Sequence, residues 1–317
     1  MTQEPIAVVS ISGGKDSHAT ALVAIERYGR SRVRLVMADT GHEHPLTMEF
    51  VRDYLPDALG IPIEIVRADF TAKIEGKRQF IAKNWEYMGV PLARVDRALE
   101  ILRPTGNPYL DLCMWKGRFP SRKAQFCTQF LKQDVLDAFM LALAEEIRAP
   151  LESWQGVRRD ESASRANALD YEPPCLDRPW AIVRPIAGWT AQQTVDCVLS
   201  RQQRLNPLYS LGMKRVGCMP CVNCGKDELL EISRRWTEEI SRVREWEFIV
   251  ANASKRGAAT FFPDPDKKGD DIARAPSEYA RIDSVVEWAK TSHGGKQYDL
   301  EKFMPAAACS SLYGLCE

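Results

Sequence analysis

The chain has 317 residues, 45% hydrophobic and 27% charged, and its 43 basic residues balance 43 acidic ones. That length accommodates one large α/β domain with a smaller appendage. The zero formal charge excludes a field basic enough to hold nucleic acid indiscriminately, while leaving room for local basic patches.

Val8, Val9 and Ile11 form a short β-branched run that predicts a buried strand. Ser12, Gly13, Gly14, Lys15, Asp16 and Ser17 follow, and then apolar residues at helical spacing (Ala19, Leu22, Val23, Ile25). Strand, glycine turn and helix together set free backbone N–H groups and the positive end of a helix dipole against an anion. Asp16 and Ser17 are suitable N-cap residues for that helix, and Lys15 is placed to neutralise phosphate charge. The turn is not a P-loop, because Lys15 is followed by Asp16 and the spaced first glycine is missing.

VRLVMADT predicts a second strand ending at Asp39, PLTMEFVRDYLPDALG a helix, and IPIEIVRAD a third strand. This order is that of a parallel sheet with right-handed crossovers, in which ligands bind beyond the carboxyl ends of strands. The glycine turn and DTGHE (Asp39 to Glu43) both lie there. Residues 70–126 give no clear pattern. QDVLDAFMLALAEEI predicts a helix, ESWQGVR a strand, TAQQTVDCVLSRQQR another helix, and residues 227–255 one long amphipathic helix. The expected organisation is a nucleotide-binding α/β domain over residues 1–225 and a mainly helical region over 226–317.

No apolar run is long enough to span a bilayer and MTQEPIAVVS has no basic n-region, so a cytosolic protein is expected. Nine cysteines without an export signal point to metal or redox chemistry rather than disulfides. Cys218, Cys221 and Cys224 are spaced Cys-x2-Cys-x2-Cys, which lets thiolates converge on an iron–sulfur cluster or on zinc. Spacing alone does not separate these two, or either from a metal-free hairpin. Asp16 and Asp39 lie where a Mg²⁺ ion on nucleotide phosphates would need hard oxygen ligands.

The turn Ser-Gly-Gly-Lys-Asp-Ser after a strand resembles the pyrophosphate loop of the PP-loop ATP pyrophosphatases, which cut ATP between its α- and β-phosphates. SWQGVRRDESASRA, VRPIAGWTAQQTVD and NPLYSLGMKRVGCMPC resemble signature segments of the phosphoadenosine phosphosulfate (PAPS) reductase family, with Asn206 where that family usually has histidine. The resemblance runs in the family's order over roughly residues 6 to 225. It implies a Rossmann-like parallel sheet of the adenine nucleotide alpha hydrolase type. It also implies a nucleotide site made by Ser12, Gly13, Gly14, Lys15, Asp16, Ser17 and Asp39, with Arg158 and Arg165 gripping phosphate bidentately. Cys127 is implied as a catalytic residue and as the fourth metal ligand beside Cys218, Cys221 and Cys224, for a 4Fe–4S cluster or, alternatively, zinc.

Departures from the family separate its branches. Reductases usually lose the Asp-Ser end of the turn, which is intact here as Asp16 and Ser17. Their Cys-Gly-Leu-His-type tail is missing from CSSLYGLCE, and Cys127 stands alone where cluster-bearing adenylylsulfate reductases have a cysteine pair. The chain is accordingly similar to the PP-loop sulfurtransferases, closest to the ATP pyrophosphatase components of DNA phosphorothioation. That implies ATP and Mg²⁺ as cofactors, a nucleic-acid substrate (DNA before tRNA), a cysteine desulfurase as sulfur donor, and an open question of homo-oligomerisation. The rival is a PAPS or adenylylsulfate reductase making sulfite, with Cys316 as its tail nucleophile.

Other residues have plainer expectations. His42 and His44 read as polar loop residues. His293 before Gly294, Gly295 and Lys296 reads equally as an anion nest or a turn. Cys113, Cys175, Cys197 and Cys309 read as structural or terminal thiols. Lys116, Arg118, Arg122, Lys123 and Lys132, interleaved with Trp115 and Phe119, form a basic run that reads either as a solvated face or as a track for a nucleic-acid backbone.

Overall fold

The computed structural model describes residues 4–263, 281–292, 311–313 and 315. Cys309, Cys316 and the His293–Lys296 stretch lie outside the described residues. Six strands form one sheet in the order β3-β2-β1-β4-β6-β5. The central strand β1 (Ile6–Ser10) pairs in parallel with β2 (Val33–Ala38) on one side and β4 (Leu151–Trp154) on the other. Strand β3 (Ile63–Val66) extends the parallel run beyond β2, and β6 (Ala181–Val183) extends it beyond β4. Only β5 (Tyr171–Glu172) is antiparallel. Ala7, Val8 and Val9 are buried because helices cover both faces of β1, which explains its near-continuous apolar sequence. This is an α/β Rossmann-like fold with helical portions.

Helix α1 (Lys15–Tyr28) packs its buried Ala19, Leu22 and Ala24 on the sheet. The predicted second helix runs as α2 (Pro45–Glu49), a π-helical turn over Phe50–Tyr54, and α3 (Leu55–Leu59). The region without a clear pattern is helical: α4 (Thr71–Asn84), α5 (Leu92–Ile101) and α6 (Pro108–Lys116). Helix α6 is buried from Pro108 through Met114, so no polar face marks its period in sequence. A short α7 (Phe126–Thr128) leads through a second π-helical turn, Gln129–Gln133, into α8 (Asp134–Glu146). Helix α9 (Ala191–Leu199) starts at a capping box made by Thr190 and Gln193.

The long helix expected over 227–255 is two helices, α10 (Lys226–Arg235) and α11 (Thr237–Asn252), broken at Trp236 (φ −134°, ψ 71°). The break lets Leu229 and Ile232 on one piece, and Val243 and Trp246 on the other, bury in one core; a straight rod would splay them. That core also holds Ile74, Tyr109, Leu112 and, from α12 (Arg281–Ala289), Ile282 and Val285. The helices after residue 225 thus share a core with α4–α6.

The sheet places its chemistry at one edge. The chain runs from β1 to β2 to β3 in one direction and then returns to β4 on the far side of β1, so the strand order reverses between β1 and β4 and a crevice opens at their carboxyl ends. The turn at 12–17, the loop at 39–44 and the segment after β4 meet there.

Candidate functional site

The glycine turn is held by side chains from distant parts of the chain. Gly13 has φ +75°, and a Cβ built on it would come within 2.8 Å of Thr47 Cγ2, so glycine is required both for conformation and for space. Asn206 donates from Nδ2 to Gly13 O at 3.2 Å, and Tyr209 Oη accepts the Lys15 N–H at 3.0 Å. Ser17 Oγ accepts the Ser12 N–H at 3.1 Å and donates to Gly14 O at 3.0 Å. The N-cap of α1 is Gly14, which has no side chain to offer; Asp16 and Ser17, expected as caps, lie inside the first turn. With no cap side chain, a phosphate at this turn would meet the backbone N–H groups other than those of Ser12, Gly14 and Lys15, which already go to Ser17, Ser12 and Tyr209.

Gly156, just past β4, abuts the same turn. A Cβ there would lie 2.9 Å from the Asp16 carbonyl carbon and oxygen and from Ser17 N. Arg158 follows, 4% exposed, donating from Nε to Asp16 Oδ1 at 2.7 Å and from Nη1 to Asp160. Burial opposes the Arg158 charge, but Asp16 and Asp160 together hold its guanidinium above the usual arginine range. Lys15 Nζ lies 3.4 Å from Asp16 Oδ2 and over the rings of Tyr209 and Tyr313, at 5.5 and 5.2 Å from their centroids. Asp16 is thus engaged by two cations. Arg165 is not brought to the turn: it pairs with Glu161, which also meets Arg215 at 3.3 Å.

Asp39, 2% exposed at the end of β2, accepts the Gly41 N–H and Arg67 Nε, each at 2.9 Å, with Arg52 at 3.8 Å. It lines an open cavity of about 630 Å³ together with Gly41, Glu43, Arg52, Arg67 and Asn107. That cavity opens past the carboxyl ends of β2 and β3, beside the turn, and it suits the nucleoside end of a ligand whose phosphates reach the turn.

Glu43 turns the other way. Its carboxylate accepts the Thr40 N–H (3.0 Å), the Thr40 hydroxyl (2.7 Å) and the His42 N–H (3.2 Å), and it bridges by backbone to Cys218. Burial pushes its carboxyl up. Lys132 faces Cys218, Glu43, Cys221 and Cys127; Cys218 foremost holds its ammonium above the usual lysine range against the pull of burial. Burial pushes the Cys218 thiol up to about 12, and Glu43 adds to this. Burial also raises Cys127, while Lys132 lowers it.

The thiols of the cysteine set meet separate partners. Cys218 Sγ lies 3.4 Å from Thr40 Oγ1 and 3.8 Å from Glu43 Oε1. Cys221 Sγ accepts the Asn223 N–H at 3.5 Å, and Cys224 Sγ faces Gly225 O at 3.4 Å. Cys127, Cys218 and Cys221 gather around Lys132, but among the described residues no three His, Cys, Asp or Glu side chains converge as metal ligands do. Donor chemistry suits a thiolate-bound centre; the directions of these thiols do not.

The histidines expected as polar loop residues are buried instead. His42 lies 4.4 Å from the Tyr109 ring centroid and 5.0 Å from that of Trp246. Its Nε2–H donates to Pro220 O at 2.9 Å and its Nδ1 accepts from Arg242 at 3.2 Å, which fixes the neutral tautomer. Burial, then Arg242, lower it to about 3; burial chiefly lowers His44 to about 4. His42 anchors the 39–44 loop to the turn at Cys218, while His44 accepts the Leu46 N–H at 3.1 Å and packs edge-on to Trp236. Sequence reasoning missed Gly156, Asn206 as a brace, Tyr209, Glu43 and Lys132. Each lay in a segment already singled out, Gly156 in SWQGVRRDESASRA, Asn206 and Tyr209 in NPLYSLGMKRVGCMPC, Glu43 in DTGHE and Lys132 in FCTQFLK, but residue order alone did not show what each would touch.

A model of the phosphoadenosine phosphosulfate reductase domain matches residues 6–224. A 37.8 kDa protein from the gpa 5′ region of Escherichia phage 186 is 46% identical over 99% of this chain and 98% of its own. An adenosine 5′-phosphosulfate reductase of Rhizobium meliloti is 30% identical over 31% of this chain and 37% of its own. A phosphoadenylyl-sulfate reductase structure from Candida auris, in complex with phosphate, aligns with TM-score 0.42 and 16% identity, covering 68% of this chain and 82% of that one. With the family model spanning the whole sheet, the glycine turn and the first cysteines of the CxPC segment, the chain belongs to the phosphoadenosine phosphosulfate reductase family.

Proposed function

We propose that the protein is a PP-loop ATP pyrophosphatase acting in sulfur transfer. The observation that carries this reading is the complete turn Ser12–Ser17 at an α1 N-terminus whose cap residue has no side chain, with Asp16 retained and braced by Arg158. ATP, entering with its Mg²⁺, would lie with its outer phosphates on the turn and its nucleoside toward the Asp39 cavity. Lys15 and Arg158 are the cations placed to offset charge as pyrophosphate leaves. An acceptor oxygen attacks the α-phosphorus, the α–β anhydride bond breaks, and the products are acceptor-O-AMP and pyrophosphate. Hydrosulfide then displaces AMP, leaving sulfur where oxygen was. If a cysteine desulfurase delivers that sulfur as a persulfide, a thiol reductant supplies the two electrons that release it.

The thiols of Cys127, Cys218, Cys221 and Cys224 do not converge as the ligands of an iron–sulfur cluster or zinc do. Iron, sulfide and zinc content of anaerobically purified protein tests for such a centre at Cys127, Cys218, Cys221 and Cys224. The test of the main reading is pyrophosphate release from ATP. If none appears with an acceptor and a sulfide source present, the reading is wrong. The local similarity to an adenosine 5′-phosphosulfate reductase supports a second reading, sulfite production from an adenylylated sulfate with thioredoxin. Sulfite without pyrophosphate would establish it.

A further inference from the structure

The basic run splits in the folded protein. Lys132 turns inward to the cysteines and Phe119 is buried, while Lys116, Arg118, Arg122 and Lys123 stay at the surface, where Lys73 from α4 joins them. Lys116 Nζ sits 3.9 Å from the Trp115 ring centroid and 4.2 Å from that of Phe130, two rings set edge-to-face. Lys73 Nζ is 5.5 Å from the same Trp115 ring, and the Arg118 guanidinium lies 5.6 Å from the Phe126 ring centroid. Arg122 is fixed by a bond to Cys224 O at 2.9 Å.

Ion pairs engage arginines elsewhere on the surface, at Arg97, Arg159, Arg201 and Arg244. Among the described residues no ion pair includes Lys73, Lys116, Arg118, Arg122 or Lys123. Lys116 titrates below the usual lysine range through burial first, then through the positive charge of Arg118 and Lys73. Lys116 therefore faces two like charges, Arg118 and Lys73, with no ion pair of its own to relieve them. Lys73 and, over the Trp115 and Phe130 rings, Lys116 stand beside an open groove of about 550 Å³ lined by Arg67, Lys73, Trp115 and Phe130, whereas Arg122 and Lys123 line a separate cavity of about 450 Å³ with Cys224 and Trp288. Asp69 and Asp134 share that lining but pair with none of these cations; Asp69 accepts the Thr71 N–H. Arg67 also lines the Asp39 cavity, so groove and nucleotide cavity adjoin.

We propose that Lys73, Lys116 and Arg118 bind the phosphodiester backbone of a single-stranded nucleic acid and lead it along this groove to the nucleotide cavity. The inference rests on the adenylation reading for its purpose, since it supplies the acceptor. Charge complementarity favours a polyanion, and the partly exposed rings of Trp115, Phe126 and Phe130, whose faces already carry Lys116, Lys73, Arg118 and Phe70, offer unpaired bases edge contacts that a duplex cannot reach.

The test is fluorescence anisotropy of the full-length protein with labelled 20-mers of oligo(dT), oligo(rU) and a duplex, across a salt series. The expected result is binding to a single strand that weakens at least tenfold in the double variant Lys73→Glu, Lys116→Glu. The slope of log affinity against log salt should fall by about 1.4, about 0.7 per lost phosphate contact. The thymidine and uridine arms identify DNA or RNA as the source. Equal binding by wild type and variant, duplex preferred over single strand, or no binding at all overturns the proposal. Pyrophosphate release from ATP, assayed with the strand and a sulfide source present, separates the two ideas. If it persists while strand binding ignores the variant, this inference falls alone. If release is absent but strand binding depends on Lys73 and Lys116, the adenylation reading falls alone.

Discussion

Arg158 donates its Nε–H to Asp16 Oδ1 at 2.7 Å across 142 residues of chain, tying the segment after β4 to the first turn of α1. The pair fixes the carboxylate beside the glycine turn, with Lys15 on its other oxygen. Arg158→Ala leaves Asp16 with only Lys15 and removes a nearly buried fork. Since Asp16 is partly exposed, the cost falls at the low end of the range for broken buried pairs, about 3 kcal/mol. Arg158→Lys keeps the charge but not the fork, and pyrophosphate release should still drop at least about tenfold. Urea melts and a pyrophosphate assay read the two effects separately.

Gly156→Ala should damage the turn without touching a charge. The new Cβ meets backbone of Asp16 and Ser17 at 2.9 Å, and neither can rotate away. Overpacking of this kind costs about 1–3 kcal/mol. ATP affinity, measured by calorimetry, should fall with stability, whereas Gly188→Ala, whose Cβ meets only Arg159 Nη1 at 3.8 Å, should change neither.

Tyr209→Phe removes the acceptor of the buried Lys15 N–H. An orphaned buried donor costs about 1–3 kcal/mol. Because that N–H belongs to the turn, KM for ATP should rise with the loss of stability. A variant that melts earlier yet keeps the wild-type KM would show that the bond only supports the fold.

Acid should destabilise the protein through His18 and His42. Burial lowers His18 to about 4, against the bond it makes to Gln203, and lowers His42 to about 3. Both are neutral when folded but take up a proton near 6.5 when unfolded, so the stability they contribute is full above about 6.5. It falls as pH drops from there, ending near 4 for His18 and near 3 for His42. At pH 5 each accounts for a loss of about 2 kcal/mol. Thermal melts between pH 7.5 and 5 should show it, and His18→Gln should flatten the slope.

Thiol accessibility should follow burial. Cys175 is exposed, so a disulfide reagent should titrate it at once in native protein. Cys113 is fully buried and its thiol is raised by burial and by Cys127, so it should react only on unfolding. A time course of reagent uptake with and without denaturant checks both.

Much of the candidate site was legible from residue order. The β-branched run, the two glycines and the helix after them needed only local rules, and β1, α1 and β2 fall where those rules place them. The helices between residues 70 and 116 were not legible, because α6 is buried all round and shows no polar face. The run over 227–255 misled for the opposite reason: its apolar period continues straight through the break at Trp236.

The sequence by itself determined which groups are present and their local geometry: a phosphate-sized turn at a helix start, three cysteines two residues apart, a basic run with aromatic residues. Only the tertiary structure decided their partners. Arg158 meets Asp16 while Arg165 turns to Glu161, and Lys132 faces the thiols while Lys116 stays outside. The reason is physical. Backbone preferences act over a few residues and are written locally, whereas a buried charge is settled by whichever distant group lies close enough to replace the water it has lost.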